Sequence, residues 1–353
     1  MFTERLRGLT PYTPGEQPRD RSYIKLNTNE NPYPPAPAVA ELLERTEIED
    51  LNKYPDPTMW ELRKAIARHH GVQPEQVFTG NGSDEVLSFI FYAFFEAERG
   101  PLLFPDITYS FYPVFCDFYG IPYYQIPLNR EFRIDISDYT SRASCGIIIP
   151  NPNAPTGITL PVSSLRELLE SYPESSSAGN AVVIDEAYID FGGETALPLL
   201  NEYENLIIVR TFSKSMSLAG IRLGYVLASE KVITALFTVK DSFNSYPVNT
   251  LSQRIGIAAV NSWNYYKDRI EMIKQTREYL LNELLQMGWT VFPSGANFIF
   301  AGSPRLSGEA VYTGLKKRGV LVRYFDKERI RPYVRITVGT REQIDVLLKE
   351  IRR

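Results

Sequence analysis

Short apolar runs along the chain alternate with longer stretches in which apolar residues recur every three or four positions. The short runs read as buried strands and the longer ones as covering helices, the signature of an α/β chain with a mostly parallel central sheet. Strands are predicted at Leu102–Phe104, Tyr123–Ile126, Gly146–Pro150, Ala181–Asp185, Leu206–Arg210 and Leu223–Ala228, and helices at Met59–His70, Asp84–Ala97, Val162–Ser171 and Trp263–Met287. Beyond the last helix come shorter alternating strands, at Asn297–Ala301, Val320–Arg323 and Val334–Val338, which imply a smaller α+β unit. The expected division is a large domain over residues 31–250, with residues 1–30 and 251–353 supplying an N-terminal arm and the small domain. Pro11, Pro14 and Pro18 make the arm an irregular segment lying across a surface rather than part of a core.

Composition narrows the function. With 353 residues, 44% of them hydrophobic, the chain buries a sizeable core. A net charge of -4 argues against nucleic acid as a partner, because backbone binding needs clustered Lys and Arg. An anionic ligand must therefore be caught locally. The most apolar run, Val86 to Phe95, is too short to cross a bilayer, and the start lacks the basic-then-apolar order of a secretory signal. No membrane partner is expected, and the expected location is cytoplasmic. Cys116 and Cys145 lack CxxC spacing and read as packed thiols. His69 and His70 are adjacent, so on a helix they diverge; they read as a solvated helix end, with neither a metal centre nor a Ser-His-Asp triad expected.

Four segments carry candidate chemistry. Val182–Asp185 is an apolar strand delivering an acid at its end, where open α/β sheets place ligands; such an acid can hold a ring nitrogen protonated, cap the next turn or bind Mg²⁺. Three residues on, Tyr188 can reach the same ligand. Thr211–Gly224 follows another strand and supplies an amine, Lys214, with Thr211, Ser213 and Arg222 as an anion clamp. Gly80–Glu85 opens a helix with glycines and a capping Ser83, a ready phosphate site, although Glu85 stands where a dinucleotide fingerprint needs its third glycine. Asn151–Gly157 is a turn-rich loop past a third strand end. Three strand-end loops should thus converge on one crevice.

With these residues in view, the chain resembles fold-type I pyridoxal-phosphate-dependent aminotransferases over nearly its whole length. Several matching segments are common to that superfamily: Tyr54–Asp56, Gly80–Glu85, Thr108–Tyr112, Asn151–Gly157, Asp185–Tyr188 and Thr211–Gly224. Thr10–Gly15, Leu26–Tyr33 and Arg331–Thr340 point to the histidinol-phosphate branch. The resemblance implies pyridoxal 5'-phosphate as cofactor, Lys214 as the Schiff-base lysine, Asp185 as the pyridinium partner, Tyr188 and Asn153 as phenolic-oxygen contacts and Tyr109 as the stacked ring. Ser83, Asp84 and Glu85, with Thr211, Ser213 and Arg222, would hold the cofactor phosphate. Tyr54 would come from the neighbouring subunit of a homodimer. Arg335, Arg323 and Tyr12 would receive the anionic end of the substrate, histidinol phosphate or glutamate/2-oxoglutarate. The chain departs from the family's Asn-Asn-Pro-Thr-Gly by carrying Ala154 before Pro155, which is why the oxygen contact falls on Asn153. An aromatic-amino-acid aminotransferase, a phosphate-ester amino-acid decarboxylase and a non-catalytic binder on the same fold are the competing readings.

Overall fold

The computed structural model describes residues 2–46, 51–172 and 180–353. The strands, in chain order, are β1 (Ile24–Lys25), β2 (Val77–Gly80), β3 (Leu102–Pro105), β4 (Tyr123–Ile126), β5 (Gly146–Pro150), β6 (Ala181–Asp185), β7 (Leu206–Thr211), β8 (Gly224–Ala228), β9 (Thr290–Val291), β10 (Phe298–Gly302), β11 (Val320–Leu321), β12 (Arg323–Tyr324) and β13 (Tyr333–Thr337). Seven of them form one sheet in the order β2-β8-β7-β6-β5-β3-β4. β4, β3, β5, β6 and β7 run parallel, β8 is reversed, and β2 runs antiparallel to β8.

Because side chains alternate across a strand, this sheet separates two apolar layers. Val182, Ile184, Leu206 and Ile208 face one layer, covered by helices Trp60–His70, Val162–Ser171 and Thr250–Asn261. Val183, Ile207 and Val209 face the other, covered by Ser83–Phe94, Tyr112–Tyr119 and Glu230–Phe243. Near-continuous apolar strands are what a sheet buried on both sides requires. Sequence periodicity finds most of these strands but misses β2 and the helices Tyr112–Tyr119, Glu230–Phe243 and Thr250–Asn261. Tyr112–Tyr119 is rich in aromatic residues of modest helix propensity, and packing rather than propensity makes it helical.

The second sheet is antiparallel, in the order β12-β13-β10-β9, and packs Ile299, Val334 and Ile336 against helices Gly308–Lys317 and Arg341–Arg352. Parallel pairing of β1 with β11 ties the arm to this small unit. The apolar clusters change over within the long helix Trp263–Gln286: Tyr266 belongs to the large-sheet core, whereas Leu280 and Leu284 belong to the small one. The large core thus extends past residue 250. Among the described residues no helix is long and apolar enough to cross a membrane.

His69 and His70 are not a solvated helix end. His69 packs edge-on to Trp263 at 4.6 Å, and His70 Nε2 is hydrogen-bonded to the Tyr225 hydroxyl at 2.8 Å. Burial, reinforced by the nearby Arg210 cation, pushes the His70 pKa down to about 2, so its imidazole is neutral and structural.

Candidate active site

The parallel register brings the C-terminal ends of β2, β3, β5, β6 and β7, and the start of β8, to one edge of the sheet. A cavity of about 180 Å³ opens there, lined by Asp185, Lys214, Arg222, Ser83, Thr211 and Tyr109 among others. A second cavity of about 270 Å³ shares Thr28, Tyr109, Ala154, Tyr188 and Lys214 with the first and extends to Tyr12, Arg323 and Arg335. Lys214 thus stands where two chambers meet.

Its amine donates to the Thr28 carbonyl at 3.3 Å and lies 5.6 Å from the centre of the Tyr188 ring. The backbone around it is held from the arm side, where Asn31 Nδ2 donates to the carbonyls of Lys214 at 3.1 Å and Ser215 at 3.2 Å. Ser217 and Arg222 take left-handed φ of 57° and 55°, which is uncommon for residues with a Cβ and is found where a loop must aim its side chains.

Asp185 ends β6 inside the first cavity. It accepts from the Tyr112 hydroxyl at 2.8 Å and from the Ala187 N–H at 3.1 Å. Burial lifts its pKa to about 6 despite these donors, with Asp84 and Glu186 adding to the rise. A cation brought beside it would remove that penalty.

Also lining this cavity, helix Ser83–Phe94 begins after Gly82 with no side-chain cap, so Ser83 is its first helical residue rather than its cap. Its first-turn N–H groups are the kind of donors an anion seeks. Two glycines make the approach possible: a Cβ at Gly82, whose φ is +88°, would lie 2.7 Å from Arg222 Nη2, and one at Gly224 would lie 2.4 Å from the Ser83 nitrogen. Arg222 pairs with Asp84 at 3.0 Å, and Asp84 also accepts from the Tyr109 hydroxyl at 2.9 Å. Asp84 therefore aims both a guanidinium and an aromatic ring.

Two expected members do not face the cavity. Glu85 turns back to accept from the Asn81 N–H at 2.6 Å, closing the glycine loop. Asn153 is buried in its own loop, donating to the Ile107 carbonyl at 2.9 Å and Thr156 Oγ1 at 3.1 Å while accepting from Thr108 Oγ1. Ala154 lines both chambers in its place, with no polar group to offer.

The second chamber ends in positive charge. Strand register sets Arg323 directly opposite Arg335 across β12 and β13, a like-charge pairing that disfavours the empty site. Arg335 donates to the Asn27 carbonyl at 2.9 Å, its Nε has no hydrogen-bond partner, and no carboxylate pairs with it among the described residues. Burial, with Arg323 adding to it, holds its pKa below the ordinary range. An anion between the two guanidiniums would relieve both problems. Tyr12 borders this chamber and packs on Phe111, the ring centres 4.8 Å apart. Tyr54 lies away from both chambers, 82% exposed and stacked on Tyr246. A larger groove of about 710 Å³ near the C-terminus is a different case, since its Arg318, Arg352 and Arg353 already pair with Glu350 or Glu283.

The model for aminotransferases of class I and II matches residues 21–351. The chain belongs to this aminotransferase family. It is 52% identical to a histidinol-phosphate aminotransferase of Syntrophus aciditrophicus, over 100% of this chain and 98% of that protein. It is 46% identical to one from Pseudomonas entomophila, over 97% of each. Among solved structures, the histidinol-phosphate aminotransferase of Sinorhizobium meliloti in complex with pyridoxal-5'-phosphate has the same fold, with a TM-score of 0.87 at 23% identity over 99% of this chain and 97% of that one.

Sequence reasoning missed three residues of this aminotransferase site: Tyr112, which holds Asp185; Thr28, whose carbonyl accepts from Lys214; and Asn29, which donates to Tyr188 at 2.9 Å. All three lie inside segments that matched the family, Thr108–Tyr112 and Leu26–Tyr33, but their partners are distant in sequence. No local spacing marks such pairs.

Proposed function

We propose that this chain is a pyridoxal-phosphate-dependent transaminase that converts histidinol phosphate and 2-oxoglutarate to imidazole acetol phosphate and glutamate. One observation carries the reading: Lys214 stands where a chamber lined by Asp185, Ser83 and Arg222 meets a chamber lined by Arg323 and Arg335. When bound, the cofactor supplies an aldehyde and an electron-withdrawing ring that stabilises negative charge on the substrate carbon.

The first chamber suits that group. Asp185 is buried and short of a cation, as a partner for a protonated ring nitrogen should be, and Tyr109 offers a ring held by Asp84. Ser83, Thr211, Ser213 and Arg222 surround the end where the helix begins, and they would hold the phosphate. Lys214 provides the reactive amine and, when free, a base that would take the proton from the amine-bearing carbon of the substrate and deliver it to the aldehyde-derived carbon of the cofactor. Arg335 and Arg323, with Tyr12, bind the substrate's far anionic end; two guanidinium forks accept a phosphate in one half-reaction and a carboxylate in the other. Full-length identity of 52% to a protein named for histidinol phosphate supports the substrate choice over other amines.

The tests are direct. Purified protein should absorb visible light through its cofactor, and Lys214→Ala should lose both that band and at least about 1,000-fold in turnover. A panel of histidinol phosphate, phenylalanine and threonine phosphate, each with 2-oxoglutarate, should favour the first; preference for another substrate would overturn the assignment.

The working unit we propose is a homodimer in which Tyr54 enters the partner's site. Tyr54 and Tyr246 form an exposed stacked pair that a second copy would cover. Mixing inactive Lys214→Ala with inactive Tyr54→Ala should restore up to about a quarter of activity, through the one dimer site in which both functional residues meet.

A further inference from the structure

Beneath Tyr188 lies a buried chain of hydrogen bonds whose direction can be read. Asn29 is 1% exposed and takes a left-handed φ of 56°. Its N–H donates to Thr337 Oγ1 at 3.0 Å, so that hydroxyl is an acceptor there and has one proton left to give. Thr337 Oγ1 gives it to Asn29 Oδ1, at 3.1 Å. The Asn29 amide is thereby fixed with its NH₂ toward Tyr188, and Nδ2 donates to the Tyr188 oxygen at 2.9 Å. Asn297 Nδ2, donating to the Asn29 carbonyl at 3.0 Å, holds the backbone of the same residue.

A tyrosine oxygen that accepts from one side keeps its own proton for the other. Tyr188 lines both chambers, and Ala154 beside it supplies no donor. Lys214, Arg335, Tyr109 and Tyr112 act electrostatically on Tyr188, and Tyr12, Arg323, Glu30, Asp84, Asp185 and Arg222 line the same chambers, but among the described residues only Asn29 is hydrogen-bonded to its hydroxyl. We propose that Asn29, oriented by Thr337, is a positioning residue that turns the Tyr188 proton into the site, where it stabilises the negative charge of the cofactor's phenolic oxygen. The inference rests on the functional reading above and adds to it a relay from strand β13 to the cofactor.

A carboxylate can only accept, so Asn29→Asp draws the Tyr188 proton away from the cavity. The readout is the pH midpoint of the bound cofactor's visible band. A donor to the phenolic oxygen lowers that midpoint, so Tyr188→Phe should raise it by about one pH unit or more, the size of a lost hydrogen bond to a charged oxygen. Asn29→Asp should raise it comparably. In the Tyr188→Phe background most of the Asn29→Asp effect should vanish, whereas a shift of equal size in both backgrounds would mean that added charge alone moves the midpoint and would overturn the relay. Thr337→Val, which frees the amide to rotate, should raise the midpoint less, and Thr337→Ser should leave it in place. These neutral variants decide the question if Asn29→Asp does not fold; a midpoint unmoved by Thr337→Val would then refute the relay. A wild-type protein without any cofactor band would overturn the functional reading instead, and the two failures are separable.

Discussion

Asp185 and Glu186 are neighbours in sequence, both buried, and they end on opposite sides of the sheet in opposite circumstances. Glu186 lies over the layer that contains Ile184 and Ile208, where it meets Arg210 at 2.8 Å, the Thr195 hydroxyl at 2.8 Å and the Ala196 N–H at 2.6 Å. Arg210 in turn meets Asp190 at 3.2 Å, and Asp190 accepts from Ser215 at 2.5 Å. Burial works against the Arg210 charge, but Glu186 and Asp190 prevail and hold its pKa above the ordinary range. Asp185, on the cavity side, has two neutral donors and, among the described residues, no paired cation. The arginines repeat the contrast: Arg210 is enclosed by acids, whereas Arg335 faces Arg323. Charges whose partners are complete stabilise the fold, and charges left incomplete are where ligands belong.

The sharpest way to break this comparison is to remove a member of the complete set. Arg210→Met would leave Glu186 buried without its cation and should destabilise the protein by about 3–5 kcal/mol, measured by urea unfolding. A loss of activity with unchanged stability would place Arg210 in the site instead.

The incomplete set should behave the other way. Arg335→Met should lower kcat/KM for histidinol phosphate about 100-fold or more. Its stability should hold or rise by up to about 1 kcal/mol, because the like-charge pairing across β12 and β13 is gone. A large fall in melting temperature would show that Arg335 is structural after all.

The effect confined to one pH range concerns Asp185. Its folded pKa, about 6, stands above the ordinary 3.8, so the unfolded chain releases this proton first. Its contribution favours folding below the lower value and is lost as pH rises through the upper one. In cofactor-free protein, Asp185→Asn should therefore stabilise the fold at pH 7.5 by up to about 3 kcal/mol and have little effect near pH 4. The amide keeps both contacts, accepting from the Ala187 N–H and donating to the Tyr112 oxygen, while losing the charge that the proposed cofactor role requires. Equal effects at the two pH values would refute the assignment of this penalty to ionisation.

The sequence alone determined the parts that depend on local periodicity. Apolar runs fixed β3 to β8 to within a residue or so, and strand-end position picked out Asp185, Lys214 and Arg222, because a parallel sheet delivers its loops to one edge whatever their composition. Alternation also required Asp185 and Glu186 to point apart. What the tertiary structure added is the surroundings that make them unlike, with Tyr112 beside Asp185 at the cavity and Arg210 enclosing Glu186 in the other layer. In the same way it turned Asn153 into its loop and left Ala154 at the wall, set Arg323 against Arg335 and placed Asn29 beneath Tyr188. These pairings join residues far apart in the chain, and their geometry comes from strand register and packing, which no short window of sequence contains.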